Sequence, residues 1–263
     1  MAPIPLENNM ATKTTNKLLK DLDSNDYVVR SAAAENPNAT PEILLKAMED
    51  KDYRVRWAVA INRNATPEVL MKALEDEDEG VRWNAAGNPN ATPEVLMKAM
   101  KDKEYSVRYA AAGNPNATPK ILLKAIGDKN SDVRRAATNN PNATPKILMK
   151  ALEDKDVHVR RDAAFNSNAS PKVLMKAIKD KDEEVSSNAA ENPNATPEVL
   201  LKAIEKNPNC CDHTRLAAAE HKNASPEVLA KAIMDGWSDV RDAAEANLKS
   251  KKLRIKISVE KVK

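Results

Sequence analysis

Two kinds of apolar segment alternate along the chain. In residues 36–61 the first is Ile43-Leu44-Leu45-Lys46-Ala47-Met48, whose apolar positions cover a wide arc of a helix. The second is Val55, Ala58 and Val59, a narrow i, i+3, i+4 stripe of small residues. Polar breaks separate them. Asn36-Pro37-Asn38 is turn chemistry, because Pro fixes φ and Asn side chains satisfy nearby backbone groups. Thr40 suits a helix N-cap, and Pro41 the first helical position, where its missing N–H costs nothing. Glu42 sits in the first turn, at the positive end of the helix dipole. Asp50 and Asp52 end this helix and open the next, each competent as an N-cap. The pattern predicts a pair of short helices.

The pair recurs. Asn-Pro-Asn-Ala-Thr-Pro begins at Asn36, Asn88, Asn114, Asn140 and Asn192, with weaker copies at Asn62, Asn166 and His221. The interval is 26 residues from 36 through 192 and 29 from 192 to 221, and a fixed period of this length marks a stacked array. No unit carries a core large enough to stand alone, so each buries its faces against its neighbours. The expected fold is all-α, an α-solenoid of about eight two-helix repeats starting at 36, 62, 88, 114, 140, 166, 192 and 221.

Residues 14–35 lack the proline and are expected as an N-terminal capping repeat, preceded by a flexible stretch 1–13. The array covers 36–246, with three extra residues in the seventh unit between Lys206 and His213. In the tail, 247–263, Leu253, Ile255, Ile257 and Val259 alternate with polar residues, a period-two pattern that reads as a strand.

Asn-Pro-Asn-x-x-Pro-Glu-x-Leu followed by Asp-x-Asp-x-x-Val-Arg-x-x-Ala resembles the leucine-rich repeat variant family over roughly residues 14–246. The resemblance implies short helix pairs, some of them 3₁₀, stacked into a right-handed superhelix. HEAT-like repeats share the Val-Arg-x-x-Ala half and are the second assignment. An iron–sulfur segment is described ahead of the repeats of one member; the N-terminal stretch here holds no cysteine, so no cofactor is carried over.

Composition narrows the function classes. Charged residues make up 31% of the chain, yet the net charge is only +3. The last 17 residues hold seven Lys/Arg and one Glu, which leaves the array at −3, against the basic excess of a general nucleic-acid binder. No stretch approaches the ~18 apolar residues of a membrane span, and no signal peptide is legible, so a cytoplasmic protein without membrane contact is expected. No phosphate loop, nucleophile elbow or paired-carboxylate arrangement is present in the sequence, so no enzyme is expected.

With 36–61 numbered 1 to 26, the constant positions read as scaffold. Lys at position 11, as in Lys46, Lys72 and Lys98, is expected to pair with the Glu four residues earlier. Arg at position 21, as in Arg56, Arg82 and Arg108, is expected to bridge repeats to the position-15 or position-17 aspartates and to donate to helix-end carbonyls.

The variable positions read as surface. Positions 18, 19, 22 and 26 hold Tyr27, Tyr53, Trp57, Trp83, Tyr105, Tyr109 and Phe165, seven of the eight aromatic residues, joined by Arg135 and Arg161. This strip (Tyr53, Trp57, Trp83, Tyr105, Tyr109, Arg135, Arg161, Phe165) is the candidate ligand-binding surface. Stacked helices repeat every ~9–10 Å and a polyproline II segment turns every three residues at ~3.1 Å each, so an extended peptide or protein segment matches the rungs. The alternative partner is single-stranded nucleic acid, with bases stacked on the aromatics. A third reading is a metal site at Cys210, Cys211, His213 and His221; vicinal cysteines suit one ion poorly, and no metal is expected.

Overall fold

The computed structural model describes residues 6–205 and 212–251, with side chains from residue 12 onward. Its regular structure is helical throughout, with no strand among the described residues. It forms two compact units, residues 1–142 and 143–263.

In the first unit α1 (Leu6–Asp21) and α2 (Tyr27–Glu35) precede four regular pairs. These are α3 (Pro41–Ala47) with α4 (Tyr53–Ile61), α5 (Pro67–Ala73) with α6 (Glu79–Gly87), α7 (Pro93–Ala99) with α8 (Tyr105–Gly113), and α9 (Pro119–Ala125) with α10 (Ser131–Asn139). The second unit holds α11 (Pro145–Ala151) with α12 (Val157–Phe165), α13 (Pro171–Ala177) with α14 (Glu183–Glu191), α15 (Pro197–Ile204) with α16 (Asp212–Glu220), and α17 (Pro226–Ile233) with α18 (Ser238–Ser250). Within each unit the helix pairs stack as an α-solenoid does, and the regular helices are α rather than 3₁₀. Helix α1 starts at Leu6, inside the stretch expected to be flexible, and α18 runs past the expected end of the array at 246. The strand expected over 253–259 lies outside the described residues, as do Cys210 and Cys211.

The first helices begin as the sequence predicts. Proline takes the first turn, and the hydroxyls of Thr40, Thr66, Thr92, Ser170, Thr196 and Ser225 accept the backbone N–H three residues on. Ile43, Leu44, Val69, Leu70, Val95 and Leu96 are fully buried, worth about 1.5–3 kcal/mol each relative to exposure. The Val–Ala stripe of the second helices is buried with them, and so is the alanine of every turn from Ala39 to Ala224.

Two polar ladders knit the repeats together. The first is asparagine. Asn114 Oδ1 accepts from the Asn116 N–H in its own turn, while Nδ2 reaches back to the Ala86 and Asn88 carbonyls of the preceding repeat at 2.9 and 3.0 Å. Asn62, Asn88 and Asn140 do the same in the first unit, Asn192 and Asn247 in the second. A turn carbonyl left bare in a buried stack would be costly, and the side chain one repeat further along the sequence satisfies it.

The second ladder is ionic. Arg56 Nε and Nη2 hold Asp76 at 2.6 and 2.9 Å, and Nη1 donates to the Asp50 carbonyl of its own repeat. Arg30–Asp50, Arg82–Asp102 and Arg108–Asp128 repeat the clasp, as do Arg160–Asp180 and Arg215–Asp235 in the second unit. These are the bridges expected of position 21. The two aspartates of a repeat divide their roles, however: Asp52 caps its helix through the Arg54 N–H, while Asp50 binds Arg30 and the Asp52 N–H instead of capping. Burial raises the Asp50 carboxyl, but the Arg30 hydrogen bond and the Asp52 N–H outweigh it and hold it below the ordinary range.

The position-11 lysines depart from expectation. Lys46, Lys72 and Lys98 reach Asp23, Glu49 and Glu75 of the preceding repeat at 2.8, 3.0 and 2.7 Å, and Lys176 reaches Glu153. Stacking sets the position-14 acid of one repeat beside the next repeat's lysine, and that neighbour wins over the Glu one turn away. Exposed pairs of this kind contribute at most about 1 kcal/mol each.

Candidate binding surface

The second helices carry the aromatic residues outward because their Val–Ala stripe faces the stack. On α4, Tyr53, Trp57 and Ile61 follow at i, i+4, i+8 and are 50%, 37% and 36% exposed. Trp83 on α6 and Tyr105 and Tyr109 on α8 are 44%, 49% and 45% exposed. Side chains of this size rarely stand open to water in such number without a partner.

Trp83, Tyr105, Tyr109 and Arg135 converge on one groove of about 530 Å³ across α6, α8 and α10. Gly113, Asn139 and Pro141 line it as well, with Ser106 and Asp132 as polar groups. The Ser106 hydroxyl donates to Glu79 of the preceding repeat. A Cβ on Gly113 meets nothing within 4 Å, so that edge of the groove is open.

Tyr53 and Trp57 lie on α4, outside the lining of this groove. Arg54 stacks its guanidinium over Tyr27 at 3.4 Å from the ring centre and stands 5.9 Å from Tyr53. It also forks onto Asp52 at 2.9 and 2.7 Å, and that hydrogen bond draws the Asp52 carboxyl down to about 2. Trp57 lies toward α6, where a Cβ on Gly80 would come 3.7 Å from its Cδ1. The α4 aromatics are thus partly committed within the molecule.

Arg161 and Phe165 belong to the second unit. Phe165 is 67% exposed. Arg161, on the candidate ligand-binding strip, already holds Asp182 with two bonds of 3.1 Å and Glu184 with a third. The Asp182 hydrogen bond raises the Arg161 guanidinium and lowers the Asp182 carboxyl. The acids come from the following repeat.

His221 is built into the stack. It is 8% exposed and stands where other repeats have asparagine. Its Nδ1 accepts from the Asn223 N–H at 3.0 Å, which fixes the proton on Nε2, 3.1 Å from the Asn192 carbonyl. Both ring nitrogens therefore occupy the rungs of the asparagine ladder. His213, by contrast, is exposed on α16 beside Glu183 and Asp212.

Sequence reasoning missed Ser106, Asp132 and Pro141 as groove residues. The usable signal was Gly113, a glycine ending a helix that needs none.

No protein-family model matches the chain, and no curated protein matches it. Among solved structures it is similar to a leucine-rich repeat variant with a novel repetitive structural motif, at 26% identity over 77% of this chain and 79% of that one, TM-score 0.58. That likeness bears out the resemblance drawn from the repeat motif. Human deoxyhypusine hydroxylase in complex with glycerol also matches (17% identity, 95% and 99% of the two chains, TM-score 0.36). So do computationally designed armadillo repeat proteins for modular peptide recognition (18%, 89% and 98%, TM-score 0.24). Superposition at the level of the last two carries no argument about activity. Among the described residues, no helix is long and apolar enough to cross a membrane.

Proposed function

We propose that the chain is a non-enzymatic binding scaffold whose first unit takes an extended peptide or protein segment in the groove on α6, α8 and α10. One observation carries this reading. Three of the chain's eight aromatic side chains, Trp83, Tyr105 and Tyr109, stand half-exposed around one open groove. Rings of this kind supply contact area at low entropic cost. The helix spacing of ~9–10 Å accepts a polyproline II strand at about one turn per repeat. Proline or aromatic side chains then seat between Trp83 and Tyr109, with Arg135 and Asn139 toward the strand's polar groups. Ser106 is held by Glu79 with no imidazole among the lining residues, a poor start for nucleophilic chemistry. The acidic run Glu75–Glu79 and Asp132 disfavour phosphates on the same unit.

Panning a random peptide library on the full chain, then titrating the enriched peptides, tests this. Proline- or aromatic-rich peptides should be enriched, and Trp83→Ala/Tyr109→Ala and Gly113→Leu should each weaken them at least roughly 10-fold without changing helical circular dichroism. No enrichment, or binding indifferent to both variants, overturns the proposal. Oligonucleotide binding that collapses between low and moderate salt, with no peptide bound, transfers the groove to single-stranded nucleic acid.

A further inference from the structure

The second unit carries a different chemistry on its own second helices. Helices α14 and α16 pack together, and their first turns bring Glu183, Asp212 and His213 into one cluster. His213 Nδ1 lies 3.4 Å from Glu183 Oε1 and 3.4 Å from Asp212 Oδ1. One donor atom from each residue lies within 4.8 Å of the others. Tetrahedral zinc binds nitrogen and oxygen ligands at ~2.0–2.2 Å, which places such donors roughly 3.3–3.6 Å from one another. The imidazole sits at that spacing from both carboxylates.

A second observation is independent of this spacing. Ser187 on α14 is only 7% exposed, and its hydroxyl oxygen is buried without a hydrogen-bond partner. Glu183 Oε1 is buried without one too. Both residues line the same cavity of about 560 Å³, and so does His213. Buried polar atoms are almost always satisfied, and an orphaned hydroxyl on the wall of this cavity beside a donor cluster points to a ligand there.

The electrostatics select its sign. Among the described residues Arg161 is the one Lys or Arg lining this cavity, and it is engaged by Asp182 and Glu184. Glu183 and Asp212 are left facing the imidazole, with Glu191 also on the wall. A cation is the ligand such a wall favours.

We infer that Glu183, Asp212 and His213 form a three-ligand site for a zinc-class divalent cation. Its fourth position opens on the cavity, where a metal-bound water supplies the partner that the Ser187 hydroxyl lacks. One imidazole and two carboxylates are an accepted donor set for such an ion, and three protein ligands leave one position open. The exposure of His213 provides the entry path. The competing arrangement is His213 paired with the two carboxylates and no metal.

Metal-stripped full-length protein titrated with Co²⁺, as a spectroscopic stand-in, and then competed with Zn²⁺ distinguishes the two. The expected result is one equivalent bound, with the intense visible bands of a four-coordinate ion that Zn²⁺ bleaches. His213→Ala, at an exposed position, should weaken binding roughly 100-fold or more with circular dichroism unchanged. Ser187→Ala should weaken it roughly 10-fold, as outer partners do. Cys210→Ser/Cys211→Ser should leave it unaltered. No binding by the unsubstituted chain, undiminished binding by His213→Ala, or loss in the double serine variant would each overturn the assignment.

Discussion

Arg82 forks onto Asp102 of the following repeat, Nε 2.8 Å from Oδ2 and Nη2 3.3 Å from Oδ1, with its third nitrogen on the Asp76 and Glu77 carbonyls. Both charges are nearly buried, the two side chains being 6% and 10% exposed. Removing one partner of such a pair strands the other away from water. Arg82→Ala is therefore expected to lower unfolding free energy by about 3–5 kcal/mol. Arg82→Lys should recover only part, since an ammonium cannot fork. Denaturant titration of the three proteins measures both; a change below 1 kcal/mol for the alanine variant would show the clasp to be energetically idle.

Ser186 is the one position-21 residue among the regular repeats that is not arginine, and its structure explains why a repair toward the repeat pattern should fail. Its hydroxyl is buried against Thr214 at 2.9 Å, and Thr214 stands where other repeats have valine. The acid that an arginine would clasp is absent from the sequence, because Lys206 occupies that place. Ser186→Arg should destabilise by roughly 1–3 kcal/mol or more, where a repeat-averaging argument expects a gain. A raised melting temperature for this variant would refute the reading.

The arginine clasp was legible because its two ends recur with the period: every Arg at position 21 from Arg30 to Arg215 is answered by an Asp twenty residues on. The asparagine ladder was half legible. The local Oδ1 bond in Asn36 follows from turn chemistry, but the Nδ2 bond from Asn62 back to Asn36 depends on how repeats stack. The same gap misassigned Lys72 to Glu68, its helix neighbour, when its partner is Glu49 across the stack. It also left Arg161 looking available, since Asp182 and Glu184 lie a full repeat later in sequence. One-dimensional spacing finds what a helix brings together; it finds contacts between repeats only where both partners keep the period.

His221 gives the molecule a pH dependence with a definite sign. Burial, outweighing the Asn192 carbonyl, holds the imidazole below its ordinary 6.5. As pH falls from 6.5 the unfolded chain takes up the proton first, so the stability contributed by neutral His221 is present above 6.5 and lost below it. The lowered carboxyls of Asp50, Asp128 and Asp182 release their contribution only at more acidic pH. Denaturant midpoints should therefore drop between pH 7.5 and 5.5. His221→Asn, the residue of the regular repeats, should flatten that drop while keeping both rungs. An unchanged slope in the asparagine variant would remove His221 as its source.

Gly87 and Gly113 each close a second helix, and neither adopts the left-handed conformation that would require glycine. A Cβ at either meets nothing within 4 Å, so packing does not require it. Glycine within a helix costs roughly 0.5–1 kcal/mol relative to alanine, a cost retained at two adjacent repeats. Gly87→Ala/Gly113→Ala should accordingly raise stability by about 0.5–2 kcal/mol in denaturant melts. Gly113 lines the groove proposed to take a peptide, where a methyl shortens the edge only slightly and a leucine fills it. The two substitutions at Gly113 should thus separate, alanine stabilising with peptide affinity little changed, leucine abolishing affinity in an equally helical protein. Loss of stability in the alanine variant would show that the backbone needs these glycines after all.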